Sequence, residues 1–119
     1  MRFATIRPDG AQSPEITVVM LAGAAGGELA NVNRWRGQVN LGPIDQAGLA
    51  SARKTLATQI GLVAVHDFAG QGPAAMRMVA ALWTDAAGNS WFLKTTGATV
   101  AVDAVKPGIL TLLETLRFE

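Results

Sequence analysis

Apolar and polar residues alternate along several stretches of the chain, and turn-forming residues separate these stretches. Arg2 to Arg7 alternates residue by residue, and Glu15 to Leu21 is apolar and β-branched. Between them, Pro8-Asp9-Gly10 marks a turn within the loop Pro8 to Pro14. A period of two is typical of a strand that buries one face. We therefore predict two antiparallel strands joined as a hairpin.

The same pattern predicts four further strands in the second half of the chain. They are Lys54 to Ile60, Leu62 to Phe68, Ala75 to Thr84 and Ser90 to Thr96. Gly61 separates the first two of these strands, and Asp85 to Asn89 joins the last two, so each pair is expected to form a hairpin. Cross-strand packing of large side chains is expected to supply much of the apolar surface of the sheet. These side chains are Met76, Met78, Trp83, Trp91 and Phe92.

Three segments are predicted to be helical. Glu28 to Gln38 follows a glycine-rich loop, and Asp45 can cap a second short helix that continues to about Arg53. The C-terminal segment has apolar residues at spacings of three, four and seven: Val102, Val105, Ile109, Leu112, Leu113 and Leu116. Pro107 interrupts this segment, which predicts either a kink or two nearly collinear helices, and the preserved phase favours the kink.

Together these elements predict an α+β domain. We expect an antiparallel sheet of about six strands, packed with a long C-terminal helix and short helices. The apolar stripe of the C-terminal helix should lie across the sheet. The length of 119 residues is sufficient for one domain, residues 1–119, with a single core.

The helix Glu28 to Gln38 has the densest group of polar, basic and aromatic side chains in the chain. Its helical spacing places Leu29, Val32, Trp35 or Arg36, and Val39 near one stripe, whereas Asn31, Arg34 and Gln38 share the other side. Trp and Arg dominate interface hot spots, and an Arg with a neighbouring amide can bind a carboxylate or backbone carbonyls. The candidate partner-binding residues are Asn31, Asn33, Arg34, Trp35, Arg36 and Gln38.

The same residues allow a structural interpretation. In this alternative Trp35 is buried under the sheet, one Arg fixes a loop through its carbonyls, and the other Arg is solvated.

Composition and charge exclude several functional classes. Half of the residues are hydrophobic, 16% are charged and the net charge is +1, which provides no general attraction for nucleic acid or anionic lipid. The chain has no cysteine, so it has neither a disulfide framework nor thiolate chemistry nor a lipobox. No apolar run reaches the roughly eighteen residues of a membrane-spanning helix.

No catalytic or cofactor-binding pattern is present. His66 is the only histidine, and its neighbour Asp67 should point to the opposite face of a strand, so the two residues cannot form a catalytic dyad. The chain has no close cluster of metal ligands and no serine in a nucleophile-elbow pattern. Glu28 places a carboxylate where a phosphate would bind at the helix N-terminus. We therefore expect no cofactor, no metal and no enzymatic activity.

The run Asn-Val-Asn-Arg-Trp-Arg-Gly-Gln at residues 31–38, followed by Leu41 to Ile44, resembles the signature of a family of largely uncharacterised bacterial proteins. Members of this family are often exported or lipid-anchored. The resemblance extends to Arg77 to Ala81, Trp91 to Gly97 and Leu116 to Phe118. It implies a PsbP/Mog1-like α/β/α sandwich and a periplasmic or membrane-anchored location, and it supplies no catalytic residues.

The resemblance also bears on the N-terminal region. Relatives usually have a signal segment and a short Pro/Trp-containing stretch before the strand that matches Met1 to Arg7. We therefore expect this chain to be trimmed or to start later in the gene.

Two hypotheses for the function follow. The first is a non-enzymatic binding or accessory domain of an extracytoplasmic protein or complex, which docks on a protein partner through the helix of residues 31–38. The second is a carrier of a small apolar ligand, with a pocket between the sheet and the C-terminal helix. This second hypothesis is motivated by the many small residues and by Met76 and Met78. An enzyme would require two or more titratable groups that converge in one cleft.

Overall fold

A computed structural model describes residues 2–6, 14–23, 26–71 and 75–115, and it contains one antiparallel sheet. The strands are β1 (Arg2–Ile6), β2 (Ile16–Leu21), β3 (Lys54–Thr58), β4 (Gly61–Ala69), β5 (Met76–Thr84) and β6 (Ser90–Ala98). Their order across the sheet is β1-β2-β6-β5-β4-β3, so β6 lies in the interior of the sheet between β2 and β5. All neighbouring strands pair antiparallel.

The three predicted hairpin pairings are present. β1 pairs with β2, although the predicted loop between them lies mostly outside the described residues. β3 pairs with β4 next to Gly61, whose φ of 108° favours glycine. Between β5 and β6, the carboxylate of Asp85 accepts hydrogen bonds from the backbone amides of Ala87 and Asn89, at 2.9 Å each. Local turn chemistry therefore fixes two of the connections.

Among the described residues, three helices cover the two faces of the sheet. They are α1 (Glu28–Gln38), α2 (Gln46–Ala52) and α3 (Thr99–Thr115). The Asp45 side chain caps α2, because its Oδ1 accepts a hydrogen bond of 2.8 Å from the Gly48 amide. Helices α1 and α2 pack on one face of the sheet, and α3 packs on the other. The predicted α+β class, with an antiparallel sheet and a C-terminal helix, is confirmed.

Helix α3 buries the predicted apolar stripe against the sheet. Val102, Ile109 and Leu113 are at most 1% exposed, and they pack with Val79 and Leu93 from the central strands. The predicted stripe residue Leu116 lies outside the described residues. Because α3 is a single helix that includes Pro107, the alternative of two separate helices is wrong. Pro107 is exposed, so its ring is not part of the core.

The opposite face of the sheet has its own core beneath α1 and α2. Val32, Trp35 and Leu49 are at most 2% exposed and pack over Met78 and Phe92. The Trp35 and Phe92 rings meet edge to face, with their centroids 5.8 Å apart. Side chains of α1 and α2 therefore cover the side chains of β5 and β6 on this face of the sheet.

The large side chains that were expected to contribute cross-strand packing are divided between the two faces. Trp83 and Trp91 stack at 6.0 Å on the α3 side, whereas Met78 and Phe92 lie beneath α1. Met76 is 42% exposed. The predicted cross-strand packing therefore occurs between Trp83 and Trp91, whereas Met78 and Phe92 belong to the other face, because successive residues of a strand point to opposite faces.

Candidate functional site

The C-terminal end of α1 is closed by a Schellman motif. The Leu41 amide donates to the Arg36 carbonyl at 2.9 Å, and the Asn40 amide donates to the Gly37 carbonyl at 3.2 Å. Asn40 has a φ of 64°, a left-handed conformation that asparagine tolerates better than most residues. The motif directs the following segment, Leu41 to Ile44, back along the helix.

Two side chains of α1 hold this returning segment. Asn33 makes a paired contact with the Ile44 backbone: its Nδ2 donates to the carbonyl at 3.0 Å, and its Oδ1 accepts from the amide at 2.8 Å. The Arg36 Nε donates to the Gly42 carbonyl at 2.7 Å, and the guanidinium lies 6.0 Å from the Phe68 ring centroid. These contacts satisfy backbone groups that the loop leaves without a helix or sheet partner.

Two more residues of the candidate site are buried in the domain. Asn31 is 2% exposed, and its Nδ2 donates to the Gly27 carbonyl at 2.7 Å, so the predicted position of Asn31 on the polar side of the helix is wrong. Trp35 is also 2% exposed and packs on Phe92. Trp35 is thus not an exposed anchor. The buried arrangement arises because Asn31 and Trp35 are four positions apart and share one face of the helix.

Of the six candidate residues, the structure exposes Arg34 and Gln38. These two side chains are four positions apart, so they lie on the same face of α1. The structural alternative given above fits these residues: Trp35 is buried, Arg36 fixes a loop through its carbonyl, and Arg34 is exposed to solvent. The surface of α1 that a partner can touch is therefore defined by Arg34 and Gln38.

Lys94 adds a second positive charge beside α1. It lies on β6, opposite Thr17 of β2 and Ala80 of β5, on the face of the sheet that α1 covers. Its Nζ is 5.9 Å from the Trp35 ring centroid. The pKa of Lys94 lies below its usual value, because burial disfavours the ammonium ion and the nearby Arg34 guanidinium repels it. Arg34 and Lys94 therefore form one local patch of positive charge.

Sequence reasoning did not identify Lys94 as a site residue. The position of Lys94 in the strand pattern could have identified it. Phe92, Lys94 and Thr96 share one face of β6, and β6 is an interior strand. A lysine on a covered face of an interior strand is unusual because burial of its charge is costly.

A groove of about 320 Å³ lies next to Lys94. It is lined by Glu15, Thr17, Lys94 and Thr96. The Thr17 hydroxyl donates to the Lys94 carbonyl at 3.4 Å, which is a long contact. The groove therefore offers an ammonium group, two hydroxyl groups and one carboxylate.

A second polar cluster lies at the N-terminal end of α1. Oε2 of Glu28 lies 2.8 Å from Nε2 of His66, and the Arg53 guanidinium binds both oxygens of the same carboxylate. Burial raises the pKa of Glu28, but the hydrogen bonds from Arg53 and His66 outweigh it, so the pKa lies below its ordinary value of 4.5. Glu28 is therefore an anion near neutral pH.

Glu28 and His66 are titratable groups that converge, yet their geometry suits a structural role. The His66 side chain is 1% exposed, and both oxygens of Glu28 are engaged. An adjacent hollow of about 320 Å³ is lined by Gly27, Glu28, Asn31 and Ser90, among others. The cluster ties α1 to β4 and to Arg53, the residue that follows α2.

His66 and Asp67 point to opposite faces of β4, as predicted. His66 meets Glu28 on the α1 side, whereas Asp67 accepts hydrogen bonds from Arg77 at 2.8 and 2.7 Å and from Lys106 at 2.5 Å on the α3 side. Arg77 also contacts Asp103 of α3 at 2.5 Å. This network connects α3 to two strands, and it lowers the pKa of Asp67, chiefly through the hydrogen bond from Arg77.

Within the described ranges, no group of three or more His, Asp or Glu side chains is arranged to hold a metal ion. In the same part of the chain, no helix is both long and apolar enough to cross a membrane. Comparison of the chain with protein-family profiles, curated proteins and solved structures finds no significant match.

Proposed function

We propose that this chain is a non-enzymatic binding or accessory domain of an extracytoplasmic protein or complex. It docks on a protein partner through the exposed face of α1, at Arg34 and Gln38. The observation that carries the proposal is that some side chains of residues 31–38 make contacts inside the domain, whereas others are exposed. Asn31, Asn33, Trp35 and Arg36 are used within the domain, whereas Arg34 and Gln38 are exposed, and Arg34 lies near Lys94.

The rigidity of this surface supports a binding role. Asn33 and Arg36 fix the segment that follows α1, and Trp35 anchors the helix on the sheet. Side chains on a fixed helix lose little freedom other than their own when a partner binds. An exposed Arg on such a surface is well suited to charge-assisted hydrogen bonds with a partner.

The wider proposal rests on the resemblance of residues 31–44 to a family of exported bacterial proteins. An antiparallel sheet between two helical layers is compatible with a PsbP/Mog1-like α/β/α sandwich. We propose that the domain has this PsbP/Mog1-like fold and that it works in the periplasm or anchored to a membrane. In this proposal its protein partner belongs to a membrane-associated complex.

Affinity capture from the envelope fraction of the host tests the proposal. The baits are the wild-type domain, an Arg34→Ala/Gln38→Ala double variant, and a Thr111→Ala/Glu114→Ala control that changes exposed residues of α3. Circular dichroism and thermal melting establish that all three are folded. We expect the wild type and the α3 control to retain the same partner and the α1 variant to lose it. Recovery of the same proteins by all three baits would contradict docking through α1.

A second candidate function is transport of a small apolar ligand. The observation in its favour is an apolar hollow of about 540 Å³ at the start of α3, lined by Gly97, Ala98, Ala101, Ala104 and Val100, among others, with Val100 82% exposed. This hollow borders the contact between the sheet and α3, whose inner side chains are tightly buried. Native mass spectrometry of the protein purified from its host tests this alternative, which predicts a co-purifying ligand that Val100→Glu displaces.

A further inference from the structure

Within the described residues, three Arg and Lys side chains pair with carboxylates, whereas Arg34, Arg36, Lys54 and Lys94 form no ion pair. Arg53 pairs with Glu28, Arg77 pairs with Asp67 and Asp103, and Lys106 pairs with Asp67. Within the described residues, neither Arg34 nor Lys94 forms an ion pair. Two neighbouring cations that form no ion pair repel each other in the free domain. A bound anion would relieve this repulsion.

The surroundings of Lys94 favour a carboxylate on an extended peptide. The groove beside it runs along β2 and β6 and is lined by the hydroxyl groups of Thr17 and Thr96. Arg34 can bind a carboxylate through two parallel hydrogen bonds, and the Gln38 amide can pair with a peptide backbone. Glu15 also lines this groove.

The charge of the whole chain disfavours a polyanion as the occupant. Its net charge is +1, and the patch contains two cations. Binding of nucleic acid by counterion release requires many more phosphate contacts than this patch can make. A short acidic segment of a protein, by contrast, matches two cations and a groove of this size.

We infer that Arg34 and Lys94 bind a carboxylate of an acidic segment of the partner protein, with that segment lying in the groove lined by Thr17, Lys94 and Thr96. This inference rests on the proposed docking function and gives the chemistry of the partner. Trp35 has a positioning role, because its ring lies under the Lys94 ammonium and its burial fixes the turn of α1 that carries Arg34.

A peptide titration tests the inference without knowledge of the partner. Fluorescently labelled hexaglutamate is titrated into the wild type, Arg34→Gln, Lys94→Gln and a control, Lys54→Gln, in which an exposed cation of the edge strand β3 is neutralised. Binding is measured by anisotropy, at low salt and at about 0.15 M salt. Hexaglutamine serves as the uncharged peptide, and thermal melting confirms that each variant is folded.

We expect hexaglutamate to bind the wild type and the Lys54→Gln control equally. Arg34→Gln and Lys94→Gln should each weaken binding about tenfold, because each removes a charge-assisted hydrogen bond. Added salt should weaken binding, and hexaglutamine should not bind. Equal binding of the two peptides, or hexaglutamate binding that neither Arg34→Gln nor Lys94→Gln affects, would overturn the inference.

Two further arms test other occupants. Tighter binding of a single-stranded oligonucleotide than of hexaglutamate, with the same dependence on Arg34 and Lys94, would assign the patch to a polyanion and overturn the inference. Self-association in sedimentation experiments that Lys94→Gln abolishes would assign it to a second copy of this chain, with the same result.

The outcome can be separated from that of the capture experiment. A partner that requires Arg34 and Gln38, in a domain that does not bind hexaglutamate, would leave the proposed function intact and refute the acidic segment. Conversely, hexaglutamate binding that depends on both cations, with no partner that depends on α1, would support the anion site and contradict the docking proposal.

Discussion

Neighbouring side chains of α1 have different environments because each residue of a helix is rotated by about 100° from the one before it. Asn33 is bonded to the returning loop, Arg34 is exposed, Trp35 is buried, and Arg36 is bonded to the loop again. The run therefore combines residues that stabilise the domain with residues that can contact a partner. Substitutions at adjacent positions should have different consequences.

Replacement of Asn33 tests whether this residue stabilises the domain. Asn33→Ala removes two hydrogen bonds and leaves the amide and carbonyl of Ile44 without their partner. We expect the free energy of unfolding to fall by about 1–3 kcal/mol. Gln38→Ala, on the exposed side of the same helix, should change it by less than about 0.5 kcal/mol. Urea denaturation of both variants measures the difference, and equal small effects would contradict a structural role for Asn33.

The sequence predicts the role of some residues of the site better than that of others. Helical spacing correctly gives Val32 and Val39 a buried position and leaves Arg34 and Gln38 exposed. It fails for Asn31, because an amide can be buried when a backbone carbonyl, here that of Gly27, accepts its hydrogen bond. The pairing of Glu28 with His66 joins residues 38 positions apart, so local spacing contains no information about it.

At the scale of elements, glycines differ according to what surrounds them. Gly108 lies within α3, and a Cβ added there would meet nothing within 4 Å, whereas a Cβ added at Gly70, directly after β4, would lie 2.2 Å from the Val39 carbonyl oxygen. Gly70 thus allows the end of β4 to approach the end of α1 closely.

These two glycines provide a matched pair of substitutions. Gly108→Ala should raise the free energy of unfolding by about 0.5–1 kcal/mol, because alanine loses less backbone entropy than glycine in a helix. Gly70→Ala should lower it, because the backbone of Val39 has to move away from the new methyl group. Thermal and urea denaturation measure both effects. A destabilised Gly108→Ala variant would contradict the description of α3 as a continuous helix.

Hairpins and helices of this chain could be predicted because their signals are local. Gly61 and the Asp85 turn determine two strand pairings, and Asp45 caps α2. The distribution of the large side chains was harder to predict, since it depends on which face each strand turns towards which helix. Trp83 and Trp91 therefore lie on the opposite face from Phe92, although all three come from one hairpin.

At the scale of the whole molecule, paired carboxylates connect the three layers. Glu28 links α1 to β4, and Asp67 links β4 to α3 through Lys106 and to β5 through Arg77. The pKa of each carboxylate is lower in the folded protein than its ordinary value, 4.5 for Glu28 and 3.8 for Asp67. The unfolded chain therefore binds more protons than the folded protein in this acidic range.

This linkage predicts that stability falls with acid. The contribution of each carboxylate is present above its ordinary pKa and is lost as the pH falls through the lower pKa of the folded state. Asp67→Asn should reduce the slope of stability against pH below about pH 4, with an effect on the order of 1 kcal/mol or less because solvent screens the pair. Glu114→Gln, at an exposed position of α3, is the control. Urea denaturation at several pH values measures the slope, and an unchanged slope in Asp67→Asn would contradict the assignment.

Photo-crosslinking in the host tests whether a partner docks on the exposed face of α1. A photoreactive amino acid such as p-benzoylphenylalanine replaces Gln38 in one strain and Glu114 on α3 in another; both positions are exposed. We expect a crosslinked protein adduct from position 38 and none from position 114, and we expect Arg34→Ala to abolish the adduct. An adduct from position 114 alone, or from neither position, would contradict docking through α1.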